Sequence, residues 1–209
     1  MSARTLLLLA ALAPLAGCAS AEQDADALAH ARVAADYATY RVRRVGVLPF
    51  RGVQLPPDDA RAMQDAFAQA LAREAGFEIV TLGPADLEEV PESEPLRRGY
   101  VRPETVLAIG RRYDVDAIVA GTVREARPFA PQRLAVDLDL VASETGLPIW
   151  SAGIALDAAD ARTRSALERW HANRRAGGEG SEPWDLALIS PRRFAEFAAA
   201  ELAAALPRR

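Results

Sequence analysis

Asp137 and Asp139 stand two positions apart in the alternating run Leu134-Ala-Val-Asp-Leu-Asp-Leu140. On a strand, that spacing turns both carboxylates to one face, where paired acids could share the proton transfers of a hydrolase. The plainer reading is the wet side of an amphipathic strand. Asp114 and Asp116 could hold a cation, yet they bracket a predicted helix-to-strand turn, where Asp is a common turn former. Of the two histidines, His30 falls in a predicted tether, and His171 sits beside Trp170, Asn173, Arg174 and Arg175, the setting of a solvated surface imidazole. The chain has no Gly-x-Ser-x-Gly, no His-Glu-x-x-His and neither phosphate-binding glycine pattern. Metal-ligand spacing is absent too, so no metal, cofactor or catalytic residue is expected. A periplasmic hydrolase with an acidic site at Asp137 and Asp139 is the competing class.

The remaining reactive group is Cys18, the single thiol of the chain. Arg4 gives a positive start, Leu6 to Ala13 form an apolar run, and Leu15-Ala16-Gly17 lead to the cysteine. This is the pattern of a secretory signal. The apolar run is well short of the ~20 residues that a spanning helix needs. Leu-Ala-Gly-Cys resembles the bacterial lipobox, in which the thiol is alkylated with diacylglycerol and the chain is cut before the modified residue. The expectation is a signal peptide over 1–17 and a membrane anchor at Cys18, because two or more acyl chains hold a protein stably where one does not. Ala19 and Ser20 replace the Asp that usually retains such lipoproteins at the inner membrane, which favours the periplasmic face of the outer membrane.

Removing residues 1–17 leaves 192, enough for one domain with a proper core. The formal charge is −4, and losing Arg4 makes the chain more acidic still, so nucleic acid is not an expected partner. Residues 18–43 read as a lipidated tether that spans at most roughly 90 Å, and residues 44–209 read as one globular domain. Within the domain, Arg44 to Phe50 suits a buried strand and Met63, Phe67, Ala70 and Leu71 recur at helical spacing until Gly76. Phe77 to Leu82 is a second strand. Strand, helix and strand in about forty residues predict a right-handed parallel crossover. Pro103 opens another helix, and Ala117 to Arg127, Leu134 to Leu140 and Ile149 to Leu156 follow as three strands joined by turns at 128–132 and 144–147. The predicted fold class is α/β (α+β), a mixed five-stranded sheet of order 2-1-3-4-5 flanked by helices. Two C-terminal helices complete it, with stripes at Thr163, Leu167 and Trp170 and at Phe194, Phe197, Ala198, Leu202 and Leu206.

The order of the pieces carries a further resemblance. Arg44-Val-Gly-Val-Leu-Pro-Phe50, a long helix, Phe77-Glu-Ile-Val80, Tyr113-Asp-Val-Asp-Ala-Ile-Val-Ala-Gly-Thr-Val123 and Glu144-Thr-Gly-Leu-Pro-Ile-Trp150 follow one another. Together with the lipobox they resemble a superfamily of periplasmic lipoprotein domains. It includes LpoB-type activators of penicillin-binding proteins, the curli secretion lipoprotein CsgG and the N-terminal domain of TolB. The resemblance covers about residues 43–206 and implies a non-catalytic mode of action. Tight turns at 128–132 and 144–147 depart from the inserted hairpins with which curli secretion lipoproteins build a pore. Residues 19–43 are short beside the tethers of LpoB-type activators.

The expected protein is therefore a lipid-anchored binding or scaffold lipoprotein of envelope assembly that recruits an envelope partner. An oligomeric secretion component is a third reading. Trp170, Arg174, Arg175 and Trp184 are the expected partner-binding residues, because Trp and Arg concentrate binding energy at interfaces. Trp184 is the sharper candidate, since it lies in a Gly- and Glu-containing loop that presents a ring but supplies little core.

Overall fold

The computed structural model describes residues 27–53, 55–88, 90, 96, 97, 100–178 and 182–207. The predicted signal peptide and Cys18 lie outside the described residues. Strands form at Ala29–Val33 (β1), Arg44–Val47 (β2), Arg51–Gly52 (β3), Glu78–Thr81 (β4), Ala117–Arg127 (β7), Arg133–Ala142 (β8) and Pro148–Asp157 (β9). Leu96–Arg97 (β5) and Tyr100–Val101 (β6) make a separate two-stranded ribbon. Helices span Pro57–Ala75 (α1), Pro84–Glu88 (α2), Pro103–Tyr113 (α3), Ala161–Ala176 (α4) and Pro191–Ala204 (α5). Short 3-10 turns occupy Tyr37–Thr39 and Trp184–Leu188.

The sheet has seven strands, not five, and its order is β1-β9-β8-β7-β2-β4 with β3 beside β7. β2 pairs in parallel with β4 and β7, while β7, β8 and β9 form the antiparallel meander. The expected order changes because β1 adds antiparallel to β9, with Ala29 opposite Ile154 and Val33 opposite Trp150. Residues 29–33 fall in the segment that reads as tether, and the sheet thus takes in chain well before Arg44. The segment Ala-His-Ala-Arg-Val alternates, but alanine is a poor strand former, and what holds it is cross-strand packing on β9. β3 is only two residues long and is held by Gly52, whose φ of 121° brings its backbone against Val123.

One face of the sheet carries the larger core. Val136, Leu138 and Leu140 of β8 and Trp150 and Ile154 of β9 meet Phe67 and Leu71 of α1 and Phe194, Phe197 and Leu202 of α5. Burying such side chains contributes about 1.5–3 kcal/mol each before entropy is charged against it. Two joints are polar. The buried Gln64 amide of α1 donates to the carbonyls of Val47 and Leu82, each at 2.9 Å, and so clasps the ends of β2 and β4. Trp150 Nε1 donates to the Ala205 carbonyl at 3.2 Å and fixes the end of α5 to β9. Among the described residues, the second face is covered over β2, β4, the first half of β7 and the end of β8 at Val141, where Leu48, Leu82, Leu87, Val106, Ile109 and Ile118 form a smaller core beneath α2 and α3. Beyond it, the face of β8, β9 and β1 that carries Asp137, Asp139, Ser151, His30 and Arg32 is polar.

Candidate functional site

α4 begins at Asp160, whose carboxylate accepts from the Thr163 backbone N–H at 3.0 Å and from its hydroxyl at 3.2 Å. The backbone hydrogen bond from Thr163, aided by the neighbouring Arg162, holds the Asp160 carboxyl below its ordinary value. α5 starts in the expected manner, with Ser190 Oγ accepting from the Arg193 N–H and Pro191 as the first helical residue. The two caps set the register that turns Ala166 and Leu167 inward and leaves Trp170 half-buried on Phe197, with ring centroids 5.6 Å apart. Arg174, one turn on, lays its guanidinium over the Trp170 ring at 4.8 Å from the centroid and reaches Glu196 at 3.6 Å.

Trp170 and Arg174 line a cleft of about 370 Å³ between the ends of α1, α4 and α5, together with Arg73, Glu74 and Glu201. Burial pushes the Glu201 carboxyl up, and the charge of Arg169 opposes it. The cleft thus offers an aromatic edge, guanidinium donors and carboxylates in one concave place, the inventory of a protein-recognition surface. Of the four expected partner residues, the structure brings these two together. Arg175 is exposed and does not line the cleft, and neither does Trp184. Trp184 opens its 3-10 turn half-buried against the larger core. A turn, with Glu182 paired to Arg193, replaces the loop expected there.

The acidic candidates resolve into local pairs. Asp137 Oδ2 lies 2.6 Å from Arg124 Nε, and Asp139 Oδ1 accepts from Ser151 Oγ at 2.5 Å. The two acids do share a strand face, as expected, and each is engaged with a neighbouring strand. Asp116 accepts the backbone N–H groups of Arg43 and Arg44 at 2.8 and 2.9 Å. Asp114 caps α3 with a left-handed φ of 52°. Both are turn formers. His30 is exposed on β1, and no group of three or more His, Cys, Asp or Glu suited to a metal occurs among the described residues. Among them, too, no helix is long and apolar enough to cross a membrane.

Sequence reasoning missed a cleft of about 460 Å³ where the chain enters β2. Arg41, Arg43 and Arg111 line it with Asp116, Ser143 and Glu144. Its signal was the Arg41-x-Arg43 pattern, hidden because those residues were read as tether.

No protein-family model matches the chain, and no curated protein does either. Solved structures similar to it include a PelC dodecamer from Paraburkholderia phytofirmans, 15% identical, covering 66% of this chain and 86% of that one, with a TM-score of 0.45. Another is the lipoprotein GNA1162 from Neisseria meningitidis, 18% identical, covering 64% and 96%, with a TM-score of 0.43. A third is the LpoB C-terminal domain from Escherichia coli, 13% identical, covering 57% and 91%, with a TM-score of 0.37.

Proposed function

We propose that this chain is a lipid-anchored periplasmic binding or scaffold protein of the cell envelope, held through Cys18 at the outer membrane and acting in cell-wall synthesis or export by recruiting a protein partner. The observation that carries the reading is Leu15-Ala-Gly-Cys18 at the end of an apolar leader. The order of strand and turn motifs, which resembles periplasmic lipoprotein domains, supports it. So does the engagement of Asp137 with Arg124 and of Asp139 with Ser151, which commits both acids to contacts within the sheet.

On this reading the partner meets the C-terminal helices. The cleft beside Trp170 and Arg174 takes an apolar or aromatic side chain flanked by charge, and the guanidinium fixes orientation by paired hydrogen bonds. Arg175 and Trp184, which do not line the cleft, are the remaining expected partner residues.

Intact-mass analysis of membrane-extracted protein tests the anchor. The expected product starts at Cys18 and carries lipid, and Cys18→Ser should be left unprocessed and lose its membrane attachment. A free Cys18 thiol in the wild type would refute the anchor. A photo-crosslinker placed at exposed Asn173, on the rim of the cleft, tests recruitment in the native cell. One discrete envelope protein should be captured, and its yield should fall when Arg174→Ala is added and stay the same in Asp137→Asn/Asp139→Asn. Loss of capture in the double aspartate variant, with the Arg174 variant unaffected, would move the working surface to the sheet face.

A further inference from the structure

The tether enters the fold at a defined end of the sheet. The carbonyl of Ala27 accepts from Arg162 Nη2 at 2.9 Å, and Ala29 follows opposite Ile154, three residues before β9 ends at Asp157. Asp157 is the register partner of Arg133, the first residue of β8. The hairpin tip that joins Arg127 of β7 to Arg133 of β8 therefore lies at this same end. It is two strand spacings from β1, about 10 Å.

Phe129, the most exposed large apolar side chain among the described residues, lies at this end with Leu186 and Ile189, while Val33 and Leu147 are exposed at the opposite end. The tip reads Pro128-Phe-Ala-Pro131, all four residues exposed, with Phe129 at 76%. Gln132 Nε2 donates to the Ala187 carbonyl at 3.3 Å and ties the 3-10 turn Trp184–Leu188 to the base of the tip. That turn contributes Leu186, 38% exposed, and Ile189 just after it, 64% exposed. The charges around them are mixed: Arg127, Arg133 and Arg192 against Asp59, Asp157 and Asp185. Arg133 is paired with Asp157 at 2.9 Å, and Arg127 forms no ion pair among the described residues. Apolar contact, not net charge, distinguishes the surface.

We infer that the end of the domain carrying Phe129, Leu186 and Ile189 rests in the phospholipid interface, as a second contact beside the lipid anchor. This rests on the reading of Cys18 as lipidated. Eight residues separate Cys18 from Ala27, a reach of at most about 30 Å, so the tether keeps the domain close to the bilayer. A single ring and two aliphatic side chains would not hold a free protein on a membrane. On an anchored chain the contact is intramolecular, with an effective concentration set by the short tether, and a weak interaction is then well populated. Rings flanked by arginine suit the boundary where headgroups give way to acyl chains. The consequence is orientation: the opposite end, with the turn at 144–147, points away from the bilayer.

The test uses the full-length protein, extracted from membranes and reconstituted in phosphatidylcholine vesicles with and without brominated acyl chains. Phe129→Trp and Ile189→Trp each add an indole at the proposed contact, and Leu147→Trp adds one at the opposite end, where Leu147 is 57% exposed. Relative to the wild type, the emission added at 129 and 189 should be largely lost in brominated vesicles, while that added at 147 persists. Equal quenching at 129 and 147 on protein whose intact mass shows the lipid would overturn the contact and leave the anchor standing. That would be the result if the tip met another protein instead of lipid. An unlipidated mass would overturn both, and the mass spectrum tells the two failures apart.

Discussion

Placing one methyl group at Gly121 probes whether the larger core is packed as described. Gly121 lies on the core face of β7 opposite Leu138, and a Cβ built there would meet the Phe50 ring at 2.6–2.7 Å. That ring cannot simply swing clear, because it is buried and packs on Phe67 with centroids 4.9 Å apart. Overpacking of this kind costs about 1–3 kcal/mol. Against it, Gly→Ala removes unfolded-state entropy and returns about 0.4–1 kcal/mol where the native backbone suits alanine, and Gly121 is not among the positive-φ glycines. The net expectation for Gly121→Ala is a loss of up to about 2.6 kcal/mol. At roughly 2–4 °C per kcal/mol for a chain of this size, the melting temperature should fall by up to about 10 °C. Phe50→Ala alone should cost about 3–5 kcal/mol by leaving a cavity. In the double variant the new methyl enters that space, so the two losses should fall short of their sum by at least about 0.5 kcal/mol, read from urea unfolding followed by circular dichroism. A Gly121→Ala protein that melts above the wild type, or a cycle additive within that margin, would show that Phe50 does not cover Gly121.

Phe67→Ala and Leu138→Ala, both essentially inaccessible to solvent, should each lose about 2–5 kcal/mol in the same unfolding assay, and an unchanged melting temperature in either would place the core on the wrong face. Glu201 gives a pH test: burial raises its folded pKa, so its contribution to stability is present below the unfolded value and is lost as pH rises through the folded one. Glu201→Gln should therefore gain more in melting temperature over the wild type at pH 7 than at pH 4, and an equal difference at both pH values would refute the assignment. Trp184→Ala should weaken partner capture roughly thirtyfold, about 2 kcal/mol, if its exposed edge is a hot spot. A lowered melting temperature with unchanged capture would assign the ring to the core.

What was legible in the sequence depended on how strongly each segment stated its own period. Phe67 and Leu138 belong to clear stripes, and their burial follows from 3.6- and 2-residue repeats. Ser190-Pro191 and Gly76 mark helix ends by local backbone chemistry, and those ends form as expected. β1 was hidden because Ala29 and Ala31 have little strand preference of their own, and the single Val33 is too short a signal without the pairing to β9. Gln64 was unreadable as a core residue, since its burial depends on two carbonyls that come together only when β2 and β4 pair. At the C-terminal surface, the pairing of Trp170 with Arg174 is an i,i+4 relation visible in the sequence. The half-burial of Trp184 is not, because the base of its turn is fixed through Gln132, some fifty residues earlier.

The antiparallel seating of β1 on β9 also decides how the domain bears load. A pull directed along the axis of β1 enters the edge strand at Ala29 and strains the whole β1–β9 ladder in shear instead of opening it one hydrogen bond at a time. The edge strand serves as a mechanical coupling between whatever precedes it and the sheet. Its release would bare the open edge of β9, including the stretch from Trp150 to Ile154, before any helix had moved.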